Sequence, residues 1–295
     1  MKPARIFTPV WGAEHIEDFR RGCVRSLTWP RNLAALRECV SQWEIFTTQA
    51  DLDVLHDIAE PLGIPIRFDI VNTNAGVDRG RELLRLVLGT MKRCVDNEEL
   101  FGLVMPDIIY GDGSWSNMLA LAQRVGVCVT APHMRVLPSM LDVADCAPNV
   151  PLSNSLLFWH SLNHAHPTWT DAEVTKSPGS QFYGGVVWER VEQNLYLVQH
   201  RIPNCWAAKL NESDLDFMRQ MGGFGMYDHD WPRKLVTEER SRIIGSSDAA
   251  FMVEVTPAHV ALAPMKELAP VVDLFHRQDV HHSVYRQFVS VWRAG

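Results

Sequence analysis

Leu100-Phe-Gly-Leu-Val-Met-Pro-Asp107-Ile-Ile-Tyr-Gly-Asp112-Gly-Ser114 is the stretch on which the fold of this chain turns. An apolar run long enough for one buried strand ends at Met105, Asp107 follows Pro106, and Asp112-Gly-Ser opens a predicted helix. Ligands of open α/β sheets sit in the crevice beyond the carboxyl ends of the strands, so Asp107 and Asp112 are placed for metal or sugar contacts. The same residues also fit a plainer role, with Asp112 as the N-cap of the helix that begins near Ser114 and Asp107 as a turn residue.

On the N-terminal side, strands and helices alternate. Arg5-Ile-Phe-Thr-Pro-Val-Trp11-Gly12 reads as a strand running into a loop, followed by a helix from about Glu14 to Leu27. Trp43–Thr48 and Ile64–Val71 read as the next strands, separated by a helix capped by Asp51. Leu83, Leu84, Val87, Leu88 and Met91 recur at helical spacing, which predicts an amphipathic helix over Arg81–Cys94 that covers the sheet. Beyond the central stretch, a helix over Ser116–Val125 and a short strand over Val127–Ala131 complete the pattern. This alternation predicts an α/β sandwich with a mostly parallel central sheet.

The second half is less regular. A helix over Leu152–Asn163 carries His160, His164 and the nearby His166; a strand ends at His200; a glycine-rich loop leads into Asp228-His-Asp230-Trp231. Phe251–Val255 reads as a strand, and the tail from Val271 to Trp292 as one or two terminal helices. Without a linker or an internal repeat, the chain is expected to form one domain over 1–295.

Composition narrows the class. Apolar residues at 46% of 295 can fill a large core, and the six cysteines contain no C-x-x-C pair, which argues against a Cys-ligated zinc. A formal net charge of −7 leaves no basic footprint for nucleic acid. Neither a G-x-G-x-x-G fingerprint nor a P-loop lysine motif is present. With no apolar span of membrane length and no apolar core of a signal peptide at the start, a soluble cytoplasmic protein is expected.

Four patches together resemble bacterial sugar-nucleotide-dependent glycosyltransferases of the GT-A type: Thr8-Pro-Val-Trp-Gly12, Pro106-Asp107 through Ser114, Asp228-His-Asp230, and Ser247-Asp248. The resemblance implies a GT-A-like three-layer α/β/α fold, with a nucleotide-binding half over 1–135 and an acceptor-side half with the C-terminal helices over 136–295, and transfer of a sugar from a nucleotide-diphosphate donor to a glycan or other hydroxyl acceptor. It implies that Thr8, Pro9 and Trp11 flank the base and ribose. In such enzymes an Asp-x-Asp motif holds Mn²⁺ or Mg²⁺ against the donor diphosphate. Here Asp107 and Asp112 are five apart, so either Asp112 alone sits at the motif position, or Asp228 and Asp230 supply the ligands from a later loop, or the protein works without a metal. Arg135, after a strand end, is a candidate to meet the diphosphate, and Asp107 joins the donor-binding set. His200, Asp228 and Asp248 are candidates for the base that deprotonates the acceptor.

Two other readings compete. One is a metal-dependent hydrolase built on His160, His164, His166, Asp228 and Asp230; the other is a non-catalytic relative of the same fold that binds a partner or glycan. Donor, acceptor, stereochemical outcome and oligomeric state are not specified by these residues.

Overall fold

In the computed structural model the described residues are 3–71, 79–125, 128–131, 133–146, 150–170, 173, 186–200, 206–221, 231, 234–235, 238, 240–260 and 289–294. The chain opens with β1 (Ala4–Pro9), followed by α1 (Ala13–Asp18), a π-helical segment (Phe19–Val24) and α2 (Arg25–Leu27) as one continuous helical run. Next come α3 (Pro30–Cys39), β2 (Val40–Thr47), α4 (Leu52–Ala59), β3 (Ile66–Ile70), α5 (Arg79–Asp96) and β4 (Leu100–Leu103). After β5 (Ile108–Tyr110) the chain continues through α6 (Ser114–Val125), β6 (Cys128–Thr130), β7 (His133–Val136), α7 (Met140–Cys146), α8 (Asn154–Asn163) and α9 (Pro167–Thr170). The last described elements are β8 (Val186–Glu192), β9 (Leu195–His200), β10 (Trp206–Lys209), α10 (Glu212–Met221), β11 (Ser241–Ile243), β12 (Met252–Val255) and β13 (Val289–Arg293).

The central sheet has 7 strands in the order β11-β6-β10-β4-β1-β2-β3. All its pairings are parallel except those of β10, which runs antiparallel to both β4 and β6. Alternation along the strands separates two faces. Ile6, Trp43, Ile45, Leu100 and Ala207 pack under the helices on one side, with Phe19, Leu36, Leu55 and Met118. Phe7, Phe46, Phe101 and Ala208 pack on the other, against Leu83, Val87 and Met91 of α5 and Leu215 and Met218 of α10. The result is the three-layer α/β/α sandwich with a mostly parallel sheet that the sequence predicts.

The two halves interleave. Strands β10 and β11 come from beyond residue 135 yet complete the central sheet, whereas β5 and β7 from the first half join β12 in a 3-stranded sheet of their own. That small sheet shares a second core with α7, α8 and the hairpin β8–β9. Within it Trp169 stacks on Trp188 at 5.4 Å and on Trp292 at 4.9 Å, with interplanar angles of 8° and 5°. Trp292 belongs to β13, which pairs antiparallel with β9. The terminal segment expected to be helical is thus a strand over Val289–Arg293, because the Trp292 ring is buried in this aromatic stack; 261–288 lie outside the described residues.

Candidate active site

Asp107 stands at a junction. Strand β4 ends at Leu103, the chain turns through Met105-Pro106-Asp107, and β5 then leaves for the small sheet. The turn is pinned by the Val255 N–H, which donates to the Asp107 carbonyl at 2.8 Å. The residue therefore sits beyond the carboxyl end of the strand in the middle of the central sheet, beside the end of β1. Its carboxylate makes no side-chain hydrogen bond or ion pair with a described residue. Burial drives it up to about 7, helped by the negative charges of Glu254 and Asp18 and opposed by a backbone hydrogen bond and by Arg135.

The small sheet supplies the neighbouring wall. Glu254 lies directly opposite Arg135 on β7, and the two form an ion pair at 3.0 Å. His133, two residues before Arg135 and on the same face, is buried; desolvation pulls it down to about 4, so its ring stays neutral at pH 7. From the central sheet's side comes Asp18, the last residue of α1, raised to about 6 mainly by burial. The crevice thus gathers Asp18, Asp107, Glu254, Arg135 and His133 from three separate elements and the junction turn.

Of these, the sequence singled out Asp107 and Arg135. Glu254 left a trace, as the lone charge in the apolar run Phe251–Val255; His133 and Arg135 left another, as alternate residues of a short strand. Asp18 left none, since a carboxylate next to Glu17 in an amphipathic helix reads as part of its solvated face.

Asp112 serves the scaffold. Its Oδ1 accepts the backbone N–H groups of Arg31 at 2.9 Å and Asn32 at 3.3 Å, so from across the chain it caps the start of α3, whose own N-cap residue Trp29 offers no side-chain acceptor, rather than the helix that follows it. Asn32 returns the favour across the chain, accepting from Gly113 N at 3.0 Å and Trp115 N at 3.1 Å at the start of α6. Two helices 80 residues apart cap each other through this exchange. Gly111 and Gly113 permit it: a Cβ on Gly111 would meet Asn154 Oδ1 at 2.0 Å, and Gly113 adopts a φ of +95° with Arg31 close above it.

The remaining candidates are placed as follows. Thr8 is buried and its Oγ1 accepts the Trp43 indole N–H at 2.8 Å, which commits the hydroxyl to the core. Pro9 ends β1, and half-buried Trp11 packs on the core beneath α5. The next residue, Gly12, donates its N–H to Asp51 Oδ2 at 3.1 Å, tying this loop to the start of α4. Asp248 is exposed and engaged by Ser155 at 2.9 Å and Arg293 at 2.9 Å. His200 ends β9, but its side chain lies outside the described atoms, and Asp228 and Asp230 lie outside the described residues.

The histidine cluster does not assemble. His166 is buried, with Nδ1 accepting the Thr168 N–H at 3.2 Å and Nε2 donating to the Pro257 carbonyl at 3.2 Å, so neither nitrogen is open to a metal. His160 and His164 instead line a shallow groove of about 410 Å³ with Asp142 and Cys146. Among the described residues no group of three or more His, Cys, Asp or Glu side chains could hold a metal ion. Asp214, in the first turn of α10, is likewise structural: it is fully buried, bound by Arg240 at 2.8 Å and by Lys234. No helix among the described residues is long and apolar enough to cross a membrane.

No protein-family model matches the sequence, and no curated protein matches it. Among solved structures, 4-diphosphocytidyl-2C-methyl-D-erythritol synthase from Anaerococcus prevotii superposes with a TM-score of 0.30 at 11% identity, covering 44% of this chain and 54% of that one. The match thus spans about half of that enzyme.

Proposed function

We propose that this chain is a GT-A-like glycosyltransferase that moves a sugar from a nucleotide-diphosphate donor to the hydroxyl of a glycan or other acceptor. One observation carries the reading: Asp107, a carboxylate with no ion-pair partner among the described residues, stands beyond the central strand's carboxyl end, in the crevice where α/β sheets take ligands. A group held in that state is costly to the fold, and a functional site is the usual reason for keeping one.

In this reading the sugar hydroxyls donate to Asp107, Pro9 and Trp11 border the nucleoside, and Arg135 is shared between Glu254 and the donor's phosphates. Mn²⁺ or Mg²⁺, if required, would be held by Asp228 and Asp230, hard oxygen ligands suited to those ions. It would neutralise the charge that develops on the leaving diphosphate. The metal-hydrolase alternative is disfavoured by His166, whose ring nitrogens are both taken.

The test is thermal denaturation in the presence of UDP, GDP, CDP and their common sugars, with and without Mn²⁺, on wild type and Asp107→Asn. The expected result is a rise in Tm with one nucleotide class, weakened in the variant. If no nucleotide or nucleotide sugar shifts the wild type, the transferase reading is wrong.

A further inference from the structure

We propose that Asp18 is the base that takes the proton of the acceptor hydroxyl, an assignment that rests on the transfer reading above. Its position is the first argument. Helix α1 leaves from the carboxyl end of β1, the strand beside β4, so Asp18 overlooks the crevice closely enough for its charge to act on Asp107.

Its freedom is the second. Glu17, the preceding carboxylate, is held by Arg20 at 2.7 Å and lies 3.7 Å from Arg21. Arg21, the cation nearest to Asp18 along the helix, reaches away to Asp142 at 2.7 Å and to Asp145 on α7. Among the described residues Asp18 has no hydrogen-bond or ion-pair partner, and a base needs such an open lone pair. Asp248, the other described carboxylate considered for this role, is already engaged by Arg293 at 2.9 Å and by Ser155 at 2.9 Å.

The π-helical segment that begins at Phe19 is the third argument. Gly22 sits within it so tightly that a Cβ would lie 3.0 Å from Ile109 of β5 and 3.1 Å from Leu141 of α7. The helix cannot rotate on that contact. A wider turn placed there changes the angular register between the packed face and the preceding turn, and such segments recur at functional sites. The groups around Asp18 complete the picture: burial raises it to about 6, His15 and Arg21 oppose this, Glu14 and Glu17 add to it, and across the crevice stand Asp107, Glu254 and Arg135. A base of that strength is ionised at neutral pH while still able to hold a proton.

The step balances. A lone pair of the acceptor oxygen forms the bond to the anomeric carbon as the bond from that carbon to the donor's phosphate oxygen breaks. The nucleoside diphosphate departs with that electron pair, and the acceptor proton passes to an Asp18 carboxylate oxygen, then to solvent.

The experiment measures turnover of the UDP-, GDP- and CDP-sugar panel by wild type, Asp18→Asn, Asp18→Glu, Asp107→Asn and the surface control Glu17→Gln. In Asp18→Asn, kcat is expected to fall on the order of 10²–10⁴-fold, with donor KM and the nucleotide-induced Tm shift unchanged. The acid limb of the kcat profile near pH 6 should vanish in that variant. Asp18→Glu, which keeps a carboxyl group, should retain part of the activity and the acid limb, and Glu17→Gln should match wild type. Asp18→Asn with wild-type kcat and pH profile overturns the assignment while leaving the transfer reading intact. A wild type that turns over no member of the panel removes both.

Discussion

Glu44 and the Asp18–Asp107 pair are carboxylates withdrawn from water by one fold, yet they settle on opposite sides of the ordinary carboxylate range. Glu44, in the middle of β2, is fully buried, and burial alone would raise it. Arg93 at 2.7 Å, Thr90 at 2.5 Å and Arg5 at 2.9 Å outweigh that cost and hold it below its usual value. Arg5 also binds Glu99 at 2.6 Å, so the network is closed on itself. At the crevice neither carboxylate has an ion-pair partner among the described residues, and burial prevails. Desolvation is common to both regions; only the partners differ. A carboxylate matched by its own arginines is structural, and one left unmatched at the carboxyl ends of parallel strands is available to a ligand.

The comparison can be broken most forcefully at Glu44. Replacing it with Gln strands Arg93 beside a neutral group and leaves Arg5 with Glu99 alone, and the expected loss is about 3 kcal/mol in denaturant unfolding. A loss well below 1 kcal/mol would mean that water reaches this network and that the contrast with the crevice is one of access. Next in size is the ligand effect: a nucleotide that binds only the folded state at a hundredfold excess over its Kd should stabilise wild type by about 2.7 kcal/mol. The same nucleotide should do markedly less for Asp107→Asn.

Asp112 tests whether place in the sequence or place in the fold decides a carboxylate's role. Asp112→Ala removes the cap of α3 and should cost about 1–2 kcal/mol while nucleotide shifts remain. Loss of nucleotide binding with unchanged stability would return Asp112 to the site.

The smallest expected effect has the opposite sign. Asp18 and Asp107 bind protons more tightly folded than unfolded, so their contribution is fully present below the unfolded value of 3.8 and is lost as pH rises through about 6 and about 7. Glu44, held low, contributes above its unfolded value of 4.5 and loses that contribution as pH falls through its folded one. At pH 7.5, Asp18→Asn and Asp107→Asn should therefore each stabilise the fold by on the order of 1 kcal/mol, and at pH 4 by little. Chemical denaturation at the two pH values measures the difference; destabilisation at both would show that the carboxylates hold structure.

Much of this was legible from local pattern. The apolar run ending at Met105 located the central strand, alternation with helical periodicity located the layers, and the two together put Asp107 at a strand end. Legibility failed where a partner lay far along the chain. Asp112 was readable as a cap, but of the helix beside it, because nothing local indicates that Arg31 and Asn32 would arrive first. Likewise Val289–Arg293 looks helical until β9 and the Trp169 ring are present to claim Trp292.

The amino-acid sequence by itself determined the periodicities, and through them the α/β class, the buried strand and the carboxylate that follows it, since hydrophobic burial acts on patterns only a few residues long. Tertiary structure alone decided which carboxylates meet an arginine, which cap a helix and which stay unmatched at the crevice. Charge, unlike burial, depends on partners within a few ångströms, and those partners come from elements brought together only by the completed sheet.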